Sequence, residues 1–372
     1  MTKNQKIALV NGRIFNGDDV FLGHGLLMDA GRIQGIFPMR AIPQDYLQVD
    51  VERGHISAGL IDLQIYGTGN DLFSAELSMD SLDRIERNLI MQGCTSFMLT
   101  LATNSIAVLH KGIEIFKDWQ PKAALGLHLE GPFLNKAKGG AHPAKYMLEP
   151  SLENMEELLR DAQGVVKMMT IAPELIDQAV VKELRRRGIL LSAGHSAASF
   201  QEANEGFSSG IQAVTHLWNA MSPFHHRDTG LPGAVFQHDK VKASIIADGV
   251  HVDFQALKLS KKLLGDRLFL ITDAVATCDK GPYQHVRKID HYTLPDGTLS
   301  GSALTLLQAV GNCVVQADIA LEEALRMATS YPAELLGRSD IGNLNTGSSA
   351  NVLVFDAEFG VQQVYMGGVR YV

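Results

Sequence analysis

The spacing of apolar and polar positions changes character twice along the chain. Residues 6–54 hold short β-prone runs, KIALV and GLLMDAGRIQGIF among them, broken by Gly and Asp turns and without a sustained helical period. Residues 350–372, ANVLVFDAEFGVQQVYMGGVRYV, return to that pattern, with valine-rich runs parted by Asp-Ala-Glu and Gly-Gly turns. The two ends predict one small β-sandwich domain, residues 1–55 with 346–372, in which they share a sheet.

Between the ends, short apolar runs alternate with helical segments, the signature of a parallel α/β fold. The runs are GLIDLQIYG (59–67), TSFMLTLAT (95–103), ALGLHLEG (124–131), VVKMMTIAP (165–173), ILLSAGHS (189–196), AVTHLWNA (213–220), VKASIIADG (241–249) and LFLITDA (268–274). Eight such strands predict a (β/α)8 barrel of the TIM type over residues 56–345. SMDSLDRIERNLIMQG (78–93) and PELIDQAVVKELRRRG (173–188) read as connecting helices, the second opened by Pro173 and closed by Gly188.

Barrels of this type carry their chemistry at the C-terminal ends of the strands. Glu130, His195, His216 and Asp273 all fall late in a strand or just beyond one. Singly, a strand-end His is a packing residue and a lone Asp a helix cap; four at matching depth belong on one rim. An ionised carboxylate in an apolar strand needs a partner. Two imidazoles and a carboxylate are the ligand set of many catalytic zinc sites. Glu130, His195 and His216 are therefore expected to hold one divalent metal ion per subunit, which lowers the pKa of water to about 7. Asp273 is expected to accept the proton and hand it on. His128 faces the same side of its strand as Glu130 and is expected beneath the site or in the core. His24 and His55 in the β domain, and His110, His238, His285 and His291 in helices or surface loops, are expected to have no role.

Composition narrows the picture. A chain of 372 residues, 46% of them hydrophobic, can bury a large core. Its 33 basic and 41 acidic residues give a net charge of −8 without a basic stripe, which excludes nucleic acid as a partner. MTKNQKIALVNGRIF lacks the apolar segment of a secretory signal, and no run approaches a membrane span, so the cytoplasm is the expected location. Cys94, Cys278 and Cys313 show no CxxC spacing and are expected to be reduced thiols. With no GxSxG elbow and no cysteine beside a paired histidine, acyl-enzyme chemistry is not indicated.

HLEGPF (128–133), GHSAA (194–198), THLWNAMSPFHHR (215–227), DGVH (248–251), ITDA (271–274) and GTLSGSALT (297–305) together resemble the N-acetylglucosamine-6-phosphate deacetylase family of the amidohydrolase superfamily, over nearly the whole chain. The resemblance implies hydrolysis of the N-acetyl group by a metal-dependent site, with Glu130, His195 and His216 as ligands and Asp273 as base and then acid. It implies that His142 helps polarise the carbonyl beside Ala141. It also implies that Asn219, Ala220, Arg227, Asp248, His251, Leu299, Ser300 and Gly301 meet the sugar phosphate, and that the enzyme is a homodimer with Arg227 reaching the neighbouring subunit's site. Zinc is the first expectation for the metal, with iron, manganese or cobalt as alternatives.

One departure stands out. Many amidohydrolases carry His-x-His at the end of the first strand for a second metal; here Gln64 and Tyr66 occupy those positions. Neutral amide and phenol oxygens are weak donors to zinc, so a single metal is expected, with Gln64 in the pocket and Tyr66 as lining or support. The rival readings are an N-acetylgalactosamine-6-phosphate deacetylase, another amidohydrolase such as a cyclic amidase, and a non-catalytic amino-sugar-phosphate binder. The missing His-x-His weighs against a cyclic amidase, and the retained ligand set against a binder. No motif reads out of Asp279–Pro295.

Overall fold

Residues 5–372 are described by a computed structural model. Eight parallel strands lie side by side in chain order. They are β1 (Leu60–Ile65), β2 (Cys94–Ala102), β3 (Ala124–Glu130), β4 (Val166–Ile171), β5 (Leu190–Ala193), β6 (Ala213–Val214), β7 (Lys242–Ile246) and β8 (Leu268–Ile271). Just past their ends the first and last strands meet. Asp273 N donates to Gln64 O and Tyr66 N to Ala274 O, each at 2.9 Å, and Ile65 bridges Ala274 in parallel. The sheet is thus a nearly closed (β/α)8 barrel. Both faces of such strands are covered, which is why they read as unbroken apolar runs; β2 is buried at every position.

Several strands are shorter than the apolar runs that predict them. The run 213–220 supplies only Ala213–Val214, because His216, Trp218 and Ala220 have φ of 34°, 83° and 49°. A left-handed residue cannot continue a strand. β5 and β8 stop in the same way, before His195 at φ 46° and Asp273 at φ 54°.

The first connecting helix, Met79–Met91, lies where its pattern places it. The second begins at Gln178, not Pro173, and ends at Arg186. The reason is Glu174, whose carboxylate accepts from Asn135 Nδ2 at 2.8 Å, Ser196 Oγ at 2.7 Å and Ala197 N at 2.6 Å. Those bonds commit the residues after Pro173 to a turn, and the helix starts once they are made. Gly188, at φ 76°, follows its end as expected.

The terminal segments form two sheets, one of four strands and one of six. In the larger, His55–Ala58 pairs with Arg13–Asn16 on one side and with Val352–Phe355 on the other, so both chain ends share it. Ile7, Leu9, Leu26 and Met28 of the smaller sheet and Ile14, Ile56, Val352 and Val354 of the larger bury into one core, which makes the pair a sandwich. By its contacts the chain divides into two compact units: up to Asp62 with Arg87–Ser96 and Thr305–Val372, and Leu63–Glu86 with Phe97–Leu304. Every site residue below belongs to the second. Cys94, Cys278 and Cys313 are free thiols. Among the described residues no helix is long and apolar enough to cross a membrane. Asp279–Pro295 contributes Val286–Arg287 and His291–Thr293 to a three-stranded antiparallel ribbon completed by Leu299–Ser302.

Glu86, buried on the first helix, accepts the backbone N–H groups of Lys122, Ala123 and Ala124 at 2.8, 2.7 and 3.2 Å. It anchors the entry to β3, the strand that ends in Glu130. Glu86→Ala leaves these donors without that acceptor and is expected to destabilise the protein by about 2–3 kcal/mol in urea unfolding, with Glu86→Gln recovering part of the loss.

Candidate active site

Glu130 closes β3. Its carbonyl accepts from Thr103 Oγ1 at 2.9 Å, and the next residue, Gly131, turns at φ 85° where a Cβ would run into the Thr103 side chain. Only glycine satisfies both conditions. The turn leaves the Glu130 carboxylate 2% exposed inside the barrel rim. His128, two residues earlier, is fully buried with Nε2 2.8 Å from Thr170 Oγ1 and Nδ1 3.2 Å from Leu63 O. Burial pushes its pKa down to about 4, so it is a neutral core residue beneath the site.

Glu130, His195 and His216 come together, as their strand-end positions predict. His216 Nε2 lies 3.0 Å from Glu130 Oε1 and 3.2 Å from His195 Nε2, and His195 Nε2 lies 3.4 Å from the same Oε1. Three donors spaced so nearly equally match the ~3.3 Å edge of a tetrahedron whose ligands stand about 2.0–2.1 Å from its centre. The tautomer fits as well. His195 Nδ1 is 2.9 Å from the Lys138 carbonyl, which can only accept, so Nδ1 carries hydrogen and the Nε2 lone pair is free for a cation. These buried residues can hold one metal ion.

The other oxygen of Glu130, Oε2, accepts from Tyr66 Oη and lies 2.9 Å from His142 Nε2. Gln64 Nε2 contacts both carboxylates, Glu130 Oε1 at 2.9 Å and Asp273 Oδ1 at 2.7 Å. The two acids are driven apart. Burial disfavours the charged form of Glu130, but His142 and His195 outweigh it and hold the carboxyl well below the usual range. Burial and then the charge of Glu130 raise Asp273, against the pull of His216, His251 and His195. Carboxyls separated in this way suit different tasks, one as a permanent anion and one as a proton carrier. Burial, reinforced by His195, lowers the pKa of His142 despite the opposing pull of Glu130.

A cavity of about 420 Å³ opens above these groups. Its wall includes Glu130, Ala141, His142, His195, His216, Asn219, Ala220, His251, Asp273, Leu299, Ser300 and Gly301. Asp248 stands behind that wall. Its Oδ2 is 2.6 Å from His251 Nδ1, and although burial opposes its charge, the His251 ring and the N–H groups of Val250 and His251 hold its pKa down. Arg227 is apart, exposed on a turn closed by reciprocal hydrogen bonds between His225 and Asp228, and it does not line the cavity of its own chain.

Sequence reasoning missed several wall residues, among them His285, Tyr283 and Lys138. His285, expected on a surface loop, is 4% exposed, with Nδ1 3.0 Å from Ser300 Oγ, and burial pushes its pKa down to about 4. Tyr283 donates to Thr103 O at 2.6 Å, and its oxygen lies 3.3 Å from His142 Nδ1. Lys138 lines the cavity from the loop before His142. The only available signal was the Tyr-x-His alternation in a segment without a readable motif.

The sequence profile of the Amidohydrolase family matches residues 55–370, and that of the NagA composite domain residues 7–56. The N-acetylglucosamine-6-phosphate deacetylase of Haemophilus influenzae is 32% identical over 98% of this chain and 98% of its own length. The protein of that name from Homo sapiens is 32% identical over 97% and 94%. Among solved structures, the Pasteurella multocida deacetylase superposes with a TM-score of 0.93 at 32% identity, covering 98% of this chain and 99% of that one. A Mycobacterium smegmatis deacetylase variant in complex with N-acetyl-D-glucosamine-6-phosphate gives 0.92 at 25% identity, covering 99% and 100%. With this site at the rim of this barrel and likeness over the full length, the chain belongs to the amidohydrolase family, among the N-acetylglucosamine-6-phosphate deacetylases.

Proposed function

We propose that this chain hydrolyses the acetamide of N-acetylglucosamine 6-phosphate to glucosamine 6-phosphate and acetate. The observation that carries the reading is the Glu130–His195–His216 triangle, with Asp273 tied to it through Gln64. Glu130, His195 and His216 would hold one divalent ion, zinc by preference for an imidazole-rich donor set. When bound, that ion supplies Lewis acidity, bringing water within reach of deprotonation near neutral pH and polarising the acetyl carbonyl.

The remaining steps belong to side chains. Gln64 holds Asp273 Oδ1 and leaves Oδ2 to take the proton of the attacking water. A base with a raised pKa keeps that proton long enough to pass it to the departing amine. His142, with Nδ1 beside Tyr283 and Nε2 against Glu130, would turn Nε2 from the carboxylate to the carbonyl oxygen of bound substrate and stabilise negative charge there. His251, held by Asp248, and Asn219, Ala220 and Leu299–Gly301 contact the sugar. Asp248 thereby acts from behind the cavity wall.

The reading extends to a homodimer in which Arg227 binds the phosphate in the neighbouring subunit. Its exposure, its absence from the wall of its own cavity and the half-exposed Phe224 three residues before it support this. A guanidinium grips phosphate through paired hydrogen bonds. Residues 56–345 are assigned as the catalytic domain and 1–55 with 346–372 as the small β domain; the family spans support the break near residue 55, and the pairing of Val352–Phe355 with His55–Ala58 supports grouping the two ends. The cytoplasm is the assigned location, since a doubly charged sugar phosphate does not cross a bilayer unaided.

An acetate-release assay on N-acetylglucosamine 6-phosphate and its galactosamine epimer tests the activity: turnover of the first is expected, and no release from it would refute the reading. Asp273→Asn is expected to retain metal, by elemental analysis, and to lose roughly 2 to 4 orders of magnitude in kcat. Arg227→Ala is expected to raise KM with little change in kcat. Mixing Arg227→Ala with Asp273→Asn subunits should restore roughly a quarter of wild-type activity at low substrate, because half the dimers then carry one complete site; absence of any gain would place Arg227 in its own subunit's site.

A further inference from the structure

Gln64 and Tyr66 are two residues apart at the end of β1, so both side chains turn to the same side. Tyr66 is held on three counts. Its N–H donates to Ala274 O at 2.9 Å. Its ring packs in an apolar cluster with Leu72, Ala102, Val275 and Tyr292. Its hydroxyl accepts from Gln64 Nε2 at 3.1 Å and donates to Glu130 Oε2. The direction of that last bond is forced, because an ionised carboxylate can only accept.

The two oxygens of Glu130 are therefore unlike. Oε1 is the corner shared with both imidazole nitrogens, at 3.0 and 3.4 Å. Oε2 is turned toward Tyr66 and His142. Carboxylates bind cations through one oxygen or through both, and binding through both raises the coordination number. A metal site that hydrolyses needs a position left open for water.

We propose that Tyr66 is a positioning residue that ties back Glu130 Oε2, so that Glu130 serves as a one-oxygen metal ligand and the ion keeps an open coordination position. This rests on the metal-dependent reading above. Tyr66 does not touch the ion and carries no proton in the reaction. Its hydroxyl sets the rotation of the carboxylate, and the apolar cluster around its ring sets the hydroxyl. His142 alone cannot replace it, because His142 is the group that must face the substrate carbonyl.

Tyr66→Phe removes the hydroxyl and keeps the ring. Zinc affinity is to be measured by chelator competition, and the visible absorption of the cobalt(II)-loaded protein recorded beside it. The variant is expected to bind one ion per chain about 10–100-fold more weakly, the usual effect of removing a group that orients a metal ligand. Its cobalt band is expected to be weaker than that of the wild type, as the freed carboxylate closes on the ion with both oxygens. Unchanged affinity and an unchanged band would overturn the proposal, also where the melting temperature falls, since that pattern belongs to packing alone. If the Phe variant does not fold, Tyr66→Met, apolar and adaptable, takes the same test. A wild-type chain that takes up no divalent metal would overturn the metal-dependent reading itself, a result distinct from a wild type that loads metal and a variant that matches it.

Discussion

Glu130 carries negative charge at a depth where water cannot solvate it, and the rim of the barrel is organised around that charge. Three imidazoles, an amide and a phenol converge on its two oxygens. Desolvation of an unpaired carboxylate costs several kcal/mol, so no member of the group is free to drift without exposing the others to that cost. The same convergence creates the chemistry. Groups that neutralise a buried anion are also groups that can share a cation with it, and the compensation that makes Glu130 tolerable is what suits it to serve as a ligand.

Backbone conformation brings the partners in. His195, His216 and Asp273 all have left-handed φ, a state that costs a non-glycine residue on the order of 1–3 kcal/mol. Each lies two residues past the end of a strand, and each is pinned. His216 N donates to Ser244 Oγ at 2.8 Å, Asn135 N to His195 O at 2.9 Å, and Ser302 N to Asp273 O at 3.1 Å. An extended residue at these places would send its side chain along the barrel wall. The kink turns it across the mouth, so local strain is exchanged for convergence from three separate strands.

Much of this was legible from residue order. The eight apolar runs, the four polar residues at matching depth and the β-rich ends each follow from periodicities that depend on nearby positions, and the structure has them where the pattern put them. What was hidden depends on contacts between distant segments. Pro173 looks like a helix start, yet Glu174 is engaged by Asn135 and Ser196, and the helix waits until Gln178. The run around His216 looks like eight residues of strand and supplies two, because left-handed turns leave no mark in hydrophobicity. His285 sits in a ribbon of weak pattern, and only the folding of that ribbon against Ser300 and Tyr283 buries it.

The seam between β1 and β8 joins the backbone turns to the buried charge. Asp273 N bonds Gln64 O, Tyr66 N bonds Ala274 O, and the Gln64 side chain reaches both carboxylates. β8 thus sets Asp273 beside the strand whose side chains reach Glu130. Closing the cylinder and completing the site are therefore one arrangement: with this seam open, Asp273 would be parted from Gln64 and the polar cluster left without its fourth member.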